Sequence, residues 1–315
     1  MRHFTPTLHC ARVTVLEVIQ KSAEFLARKN VDSPRLQTEL LLAHLLKLPR
    51  MKLYLNFDRT LSDAELDAVR ELVKRRGQRE PLQHIVGSTS FCGLEMAVNR
   101  NVLVPRPETE LLAEAGWDFL NSLPGCRREA AQTEPIAIDQ SLRTLAVTAL
   151  DFGTGSGCIA IALAVKCPGA RIMALDASVV ALAVAKQNAD RNGVSERIEF
   201  FRGDGFAALP SGFRFDLLVS NPPYIPSAEI ATLQTEVRDF DPHGALDGGP
   251  DGLDFYRLLA AQAGPWLQPG GKIMLEFGDG QAAAIRKFFA APGWSVEAVQ
   301  MDYTQRDRIL IARWD

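Results

Sequence analysis

Cysteine is scarce in this chain, with five in 315 residues, at Cys10, Cys92, Cys126, Cys158 and Cys167. The number is odd and no Cys-x-x-Cys pair occurs, so neither a disulfide framework nor a zinc site is suggested. A reducing compartment fits best. Histidine is equally sparse, and its five scattered positions form no metal-ligand spacing and no Ser-His-Asp arrangement. A Gly-x-Ser-x-Gly elbow around Ser156 fails because position 154 is Thr154, which disfavours hydrolase chemistry. There is no apolar run of about 18 residues to span a bilayer. The N-terminus, Met1-Arg2-His3-Phe4-Thr5-Pro6, lacks the apolar core of a secretory signal, so a soluble, cytoplasmic protein is expected. Arg2 and Arg12 remain compatible with a short targeting peptide. Excess charge is missing too: the formal net charge is −3, a balance that does not suggest nonspecific binding to a nucleic-acid backbone. No internal repeat or low-complexity tract occurs. What is present is ordinary globular composition, 47% hydrophobic and 23% charged, in a chain long enough for two domains.

Apolar spacing predicts helices over residues 13–29, 34–47 and 63–76. Ser33 and Ser62 stand at N-cap positions, and Glu65 is where a capping box with Ser62 requires it. Residues 1–79 are therefore expected to form a small helical bundle. Arg70, Lys74, Arg75, Arg76 and Arg79 crowd its last helix end, which reads as a solvated face favoured by the helix dipole. Residues 81–104 read as strand-rich, with His84 packed in an apolar strand-like run. A β-hairpin linker is thus expected over 80–105, and a second domain over 106–315.

The most specific signal is Asn221-Pro222-Pro223-Tyr224, which follows the apolar strand-like run 215–220. The Asn221 side-chain carbonyl and the Pro222 backbone carbonyl can each accept a hydrogen bond from one planar –NH2 group. Two successive prolines fix φ near about −65° and remove two competing N–H donors. Tyr224 offers a flat wall for a planar substrate. A Pro-Pro pair alone would signify only a turn, but the whole tetrapeptide resembles the signature of methyltransferases that modify planar –NH2 nitrogens, on DNA adenine or on protein glutamine.

A methyl acceptor implies a methyl donor, and a donor site is legible upstream. Residues 146–152 read as a buried strand, followed by Gly153-Thr154-Gly155-Ser156-Gly157 and an apolar helix over 158–164. Such glycines let the backbone approach a ligand, and the helix N-terminus offers free N–H groups. In a dinucleotide fingerprint the third glycine would fall at position 158, which is Cys158, so the spacing favours S-adenosyl-L-methionine over NAD. The strand over 171–175 ends at Asp176, placed to accept both ribose hydroxyls or, alternatively, to cap the helix that follows. Another strand leads into Asp204, an acceptor for the adenine amino group. The cofactor-binding candidates are Gly153, Thr154, Gly155, Ser156, Gly157, Asp176, Asp204 and Asn221. Those for substrate are Asn221, Pro222, Pro223 and Tyr224, with Asn221, Pro222 and Tyr224 assigned to catalysis; no metal is expected.

Three further segments narrow the substrate: Gln78-Arg79-Glu80-Pro81-Leu82-Gln83-His84-Ile85-Val86-Gly87, then Phe91 and Gly93, then Val102-Leu103-Val104-Pro105-Arg106-Pro107-Glu108-Thr109-Glu110. With these the chain resembles the glutamine-N5 methyltransferases of peptide chain release factors, the PrmC/HemK family. Asp241-Pro242, Ala245-Leu246-Asp247-Gly248-Gly249 and Glu276-Phe277-Gly278 fit the same family. The resemblance implies a class I S-adenosylmethionine-dependent methyltransferase fold, Rossmann-like with a mostly parallel seven-stranded sheet. It implies an N-terminal helical domain that recognises substrate, and S-adenosyl-L-homocysteine as product. The implied partners are class 1 peptide chain release factors, methylated on the glutamine of Gly-Gly-Gln, with a monomeric enzyme and no direct nucleic-acid binding. An adenine-N6 DNA or RNA methyltransferase shares the tetrapeptide but would need a nucleic-acid-reading domain. Ribosomal-protein glutamine methyltransferases share it without the Arg-Pro-Glu-Thr-Glu continuation. A noncatalytic binding module is opposed by intact Gly153, Gly155, Gly157, Asp176 and Asn221. Three departures stand out: a long polar stretch between Leu123 and Leu145, Gly205-Phe206 where the family often has an aromatic directly after the acid, and Phe277 in place of isoleucine.

Overall fold

In the computed structural model, residues 13–126 and 147–315 are described, and they divide into two compact units at Gly87 and Ser88. The polar stretch expected after Leu123, together with Cys10, Arg2 and Arg12, falls wholly or largely outside the described residues. Among the described residues, no helix is long and apolar enough to cross a membrane.

The first unit packs α1 (Val15–Arg28), α2 (Pro34–Leu46), α3 (Arg50–Leu53), α4 (Asp63–Gly77) and α5 (Leu82–Val86) around Ile19, Leu26, Leu41, Leu42, Leu53 and Val69. Glu65 and Ser62 form the expected capping box, and Thr14 with Glu17 forms another. Ser33 does not cap α2. Its φ is +47° and its hydroxyl makes no cap bond, while Pro34 at the first helical position needs no donor partner there. The solvated face holds for Arg70 and Lys74, but Arg75 pairs with Glu80 and Arg76 is buried against Gln37.

The expected hairpin linker over 80–105 is corrected at its start. Residues 82–86 are helical, between Pro81 and the left-handed Gly87 (φ +82°), so His84 is buried on a helix and the helical unit runs to Gly87. A five-residue apolar helix has too few turns for periodicity to separate it from a strand. The hairpin itself is short, β1 (Ser88–Phe91) against β2 (Leu94–Ala97), and it belongs to the second unit.

The second unit continues through α6 (Pro107–Ser122), β3 (Val147–Phe152), α7 (Cys158–Lys166), β4 (Ala170–Asp176), α8 (Val179–Arg191), β5 (Ile198–Arg202) and β6 (Phe215–Ser220). It ends with α9 (Thr235–Arg238), α10 (Asp254–Gln262), β7 (Leu267–Glu276), α11 (Ala282–Phe288), β8 (Trp294–Met301) and β9 (Asp307–Trp314). The seven strands lie in the order β5-β4-β3-β6-β7-β9-β8. Contacts from β5 to β7 are parallel, and β9 is antiparallel to both its neighbours. Every residue of β3 is buried, as expected of a central strand covered on both faces. Alternate residues serve opposite layers: Ala149, Leu217 and Val219 pack with α6 and α7, whereas Leu150, Leu218 and Leu275 pack with α10 and α11.

This topology reverses at β3. The chain winds outward to β4 and β5 on one side, then returns to place β6 on the other. A crevice therefore opens beyond the carboxyl ends of β3 and β6, where open α/β sheets bind ligands.

Candidate active site

The sequence order Gly153, Asp176, Asp204, Asn221 becomes a different spatial order once the strands pair. Read across the sheet, the tips run Asp204 after β5, Asp176 on β4, the glycine loop after β3, and Asn221 after β6. At about 4.8 Å per strand this row spans roughly 14 Å. A cavity of about 600 Å³ lies along it, lined among others by Gly153, Thr154, Gly155, Ser156, Asp176, Asp204, Asn221 and Pro223. Of the expected site residues, Gly157, Pro222 and Tyr224 are not in that lining.

The glycine loop is held from both sides. The backbone N–H groups of Gly153 and Thr154 donate to the Leu175 carbonyl at 2.8 and 3.0 Å, tying the loop to β4. Gly153 and Gly155 have φ of +76° and +55°, and open space where a Cβ would stand, so the backbone itself forms the cavity wall. Gly157 has a different task. A Cβ there would lie 3.0 Å from that of Ala185, so its absence lets α7 approach α8.

Asp176 supports this loop and keeps acceptor capacity. Its Oδ2 accepts from the Gly155 N–H and its Oδ1 from the Ser178 N–H, each at 2.8 Å. An ionised carboxylate offers about four acceptor sites, so two remain for a diol. The alternative role as helix cap falls to Ser178, whose hydroxyl accepts from Ala181 N–H at 3.2 Å. Asp204 is exposed at the cavity's far end. Phe206 is buried beneath, between Phe152 and Trp266 with ring centroids at 5.1 and 5.7 Å, and serves the core. An adenosine-bearing sulfonium donor suits this set: a diol acceptor, an amine acceptor and a backbone cradle within one cavity.

Sequence reasoning missed a second layer. Asp151, fully buried in β3, accepts from the Thr154 hydroxyl at 2.6 Å and the Ala160 N–H at 3.0 Å. An acid inside an otherwise apolar strand was the available signal. Asn188 of α8 donates to the carbonyls of Ser156 and Ala97 and accepts from Ala97 N–H, fastening β2 to the glycine loop. Asn101, Val102, Leu103 and Pro105, expected as linker, form another stretch of wall together with Arg106. There Arg106 pairs with buried Asp241 at 2.7 Å, whose pKa burial pushes up to about 6 despite the guanidinium.

Asn221 is anchored through its amide nitrogen, which donates to Thr109 Oγ1 at 3.0 Å. That leaves Oδ1 as an acceptor at the cavity. Tyr224 lies in the apolar layer with Tyr256 and Phe277, and burial raises the pKa of its hydroxyl. Its carbonyl accepts from Gln281 Nε2 at 2.9 Å, which holds the turn against the segment after β7.

Burial drives the Asp151 pKa up to about 7 against its two donors. A carboxyl whose folded pKa is raised contributes stability that is full below the unfolded value of about 3.9 and is lost as pH rises through the folded value. Between about pH 4 and 7, wild type should therefore lose melting temperature relative to Asp151→Asn, which keeps an acceptor without titrating. Parallel melting curves across that window would mean that Asp151 does not titrate within it.

Fold and site together define a class I, Rossmann-like methyltransferase. Residues 17–87 match the family described as PrmC N-terminal domain, and residues 137–237 match the methyltransferase small domain. The release factor glutamine methyltransferase of Geobacter sulfurreducens is 43% identical over 300 residues, covering 95% of this chain and 96% of that one. That of Chlorobaculum tepidum is 43% identical over 298 residues, covering 94% and 95%. That of Nitratidesulfovibrio vulgaris is 37% identical over 305 residues, covering 96% of each. The chain belongs to the release factor glutamine methyltransferase family.

Proposed function

We propose that this chain methylates the side-chain amide nitrogen, N5, of the glutamine in the Gly-Gly-Gln motif of class 1 peptide chain release factors, and so modulates translation termination. The observation that carries the reading is Asn221 at the tip of β6, in one cavity with Asp176 and Asp204, with its amide nitrogen engaged by Thr109. Gly153, Thr154, Gly155, Ser156, Asp176 and Asp204 would hold S-adenosyl-L-methionine, which would supply an electrophilic sulfonium methyl group and give S-adenosyl-L-homocysteine as product.

The chemical difficulty lies in the acceptor. An amide nitrogen shares its lone pair with its carbonyl and is a poor nucleophile, so orientation must provide much of the acceleration. In this reading Asn221 Oδ1 holds one amide hydrogen and the backbone carbonyl of Pro222, a residue just outside the cavity lining, holds the other, which aims the nitrogen and leaves no freedom to turn. Good alignment of reacting groups can contribute roughly 7 to 11 kcal/mol. The same two acceptors stabilise the positive charge that grows on nitrogen as the N–C bond forms and the S–C bond breaks, and the surplus amide proton then passes to water. The largely apolar cavity limits water, which would compete for those acceptors.

Incubating the protein with methyl-labelled donor and either intact release factor or adenine-containing DNA tests the assignment. Label on the Gly-Gly-Gln glutamine is expected; label on adenine would replace the reading with an adenine-N6 methyltransferase. The helical unit recognises the release factor in this proposal, working as a cytoplasmic monomer. Its exposed Met51 and Leu55 offer apolar contact. Replacing both with Asp should raise KM for intact release factor by about tenfold, since remote contacts supply binding energy, while donor affinity stays unchanged. An unchanged KM would place docking elsewhere.

A further inference from the structure

An asparagine amide can sit in either of two orientations related by a half turn, and only one presents an acceptor to a substrate –NH2 group. Something must choose between them. Asn221 Nδ2 donates to Thr109 Oγ1 at 3.0 Å, but a hydroxyl could equally donate to Oδ1 of a turned amide. The choice therefore depends on where the Thr109 proton goes and on what else faces the Asn221 amide.

Glu276, the last residue of β7, lies against both side chains. Glu276 and Thr109 are each only 2% exposed, so water does not compete for that proton. One carboxylate oxygen, Oε2, is buried without a hydrogen-bond partner. An ionised carboxylate only accepts. An ionised Glu276 therefore favours donors turned toward it, the Thr109 hydroxyl and the Asn221 –NH2 alike, which would leave a Thr109 lone pair for the Asn221 –NH2 and turn Oδ1 outward. We propose that Glu276, acting through Thr109, is the positioning residue that sets the orientation of Asn221 for amide methylation, and that it does so in its ionised form. The inference rests on the acceptor being a planar –NH2 group, as proposed above.

The surroundings make this relay sensitive to pH. Burial pushes the Glu276 pKa up to about 7, opposed first by Thr109, then by Arg308 of β9 and Asn221, while Glu108 of α6 adds to the rise. Tyr224 and Tyr256 also face it, and the Tyr256 hydroxyl donates to the Glu276 backbone carbonyl at 2.7 Å. Once protonated, Glu276 can donate to Thr109 and the direction of the chain reverses. Correct orientation is full above the folded pKa and lost as pH falls through it.

The test uses the full chain, intact release factor and labelled donor. Wild-type kcat should fall on the acid side of about pH 7. Glu276→Gln, whose amide can donate as well as accept, should lose about 10²-fold in kcat, the scale of a misaligned reacting group. Its donor affinity and KM should stay within a few-fold, and the acid limb should vanish. Thr109→Val should behave likewise, whereas Thr109→Ser, which keeps the hydroxyl, should retain both rate and limb. Wild-type kcat in Glu276→Gln or Thr109→Val, an acid limb that persists in Glu276→Gln, or a parallel loss of donor affinity would each overturn the relay. Absence of label on release factor with the wild-type chain would instead overturn the substrate assignment on which it rests.

Discussion

Asn221→Ala should reduce methyl transfer by about 10²-fold or more while donor affinity stays within a few-fold. The separation follows from where the residue stands. Asn221 follows β6, whereas the glycine loop proposed to cradle the donor follows β3 and is braced by Asp151, Asp176 and Asn188. Removing the Asn221 amide takes away one of the two acceptors proposed for the substrate –NH2 and leaves those braces intact. Thr109 loses a donor but keeps its place on α6. Single-turnover rates at saturating release factor, alongside calorimetry with the donor, measure the two quantities independently. A variant retaining more than about a tenth of the wild-type rate would remove Asn221 from the assigned role.

Asp176→Ala should show the converse, weakening donor binding by about 1.5 to 3 kcal/mol through loss of charge-assisted hydrogen bonds. The structure adds a second reason for a large effect. The same carboxylate accepts from Gly155 and Ser178, so its loss also releases the backbone that shapes the cradle. Asp176→Asn distinguishes the two contributions. It keeps one acceptor oxygen, so it can hold one of the two backbone donors while losing the charge presented to the ribose. Calorimetry should place it between wild type and Asp176→Ala. Unchanged donor affinity in the alanine variant would exclude Asp176 from the donor site.

Much of this site could be read before any coordinates because its parts are local. A parallel strand carries its next residue to the carboxyl edge of the sheet, so Asn221, Asp176 and the glycines of 153–157 share an edge once 147–152, 170–176 and 215–220 are recognised as parallel strands. Chain direction and the apolar content of those runs determine that much. Helix starts that depend on neighbours three residues apart were equally legible, as Ser62 and Glu65 show.

What the sequence alone determined, then, is which groups stand at the sheet edge: acids, glycines and an asparagine. Tertiary structure decided how those groups face and what holds them. Thr109 meets Asn221 across 112 positions, and no period or propensity links residues so far apart. Tyr224 reads as a cavity wall in isolation; in the fold it is half-buried, packs against the apolar layer of α10 and β7 and is not in the cavity lining. Residues 82–86 read as strand because five apolar-leaning residues have no helical period, and Pro81 with Gly87 closes them into a turn of helix. Strand order did the most. Pairing β4 with β5 on one side of β3 and β6 on the other converts a list of residues along the chain into a row across one cavity. Such pairings follow from burying both faces of the sheet at once, a condition on the whole fold that no single segment carries.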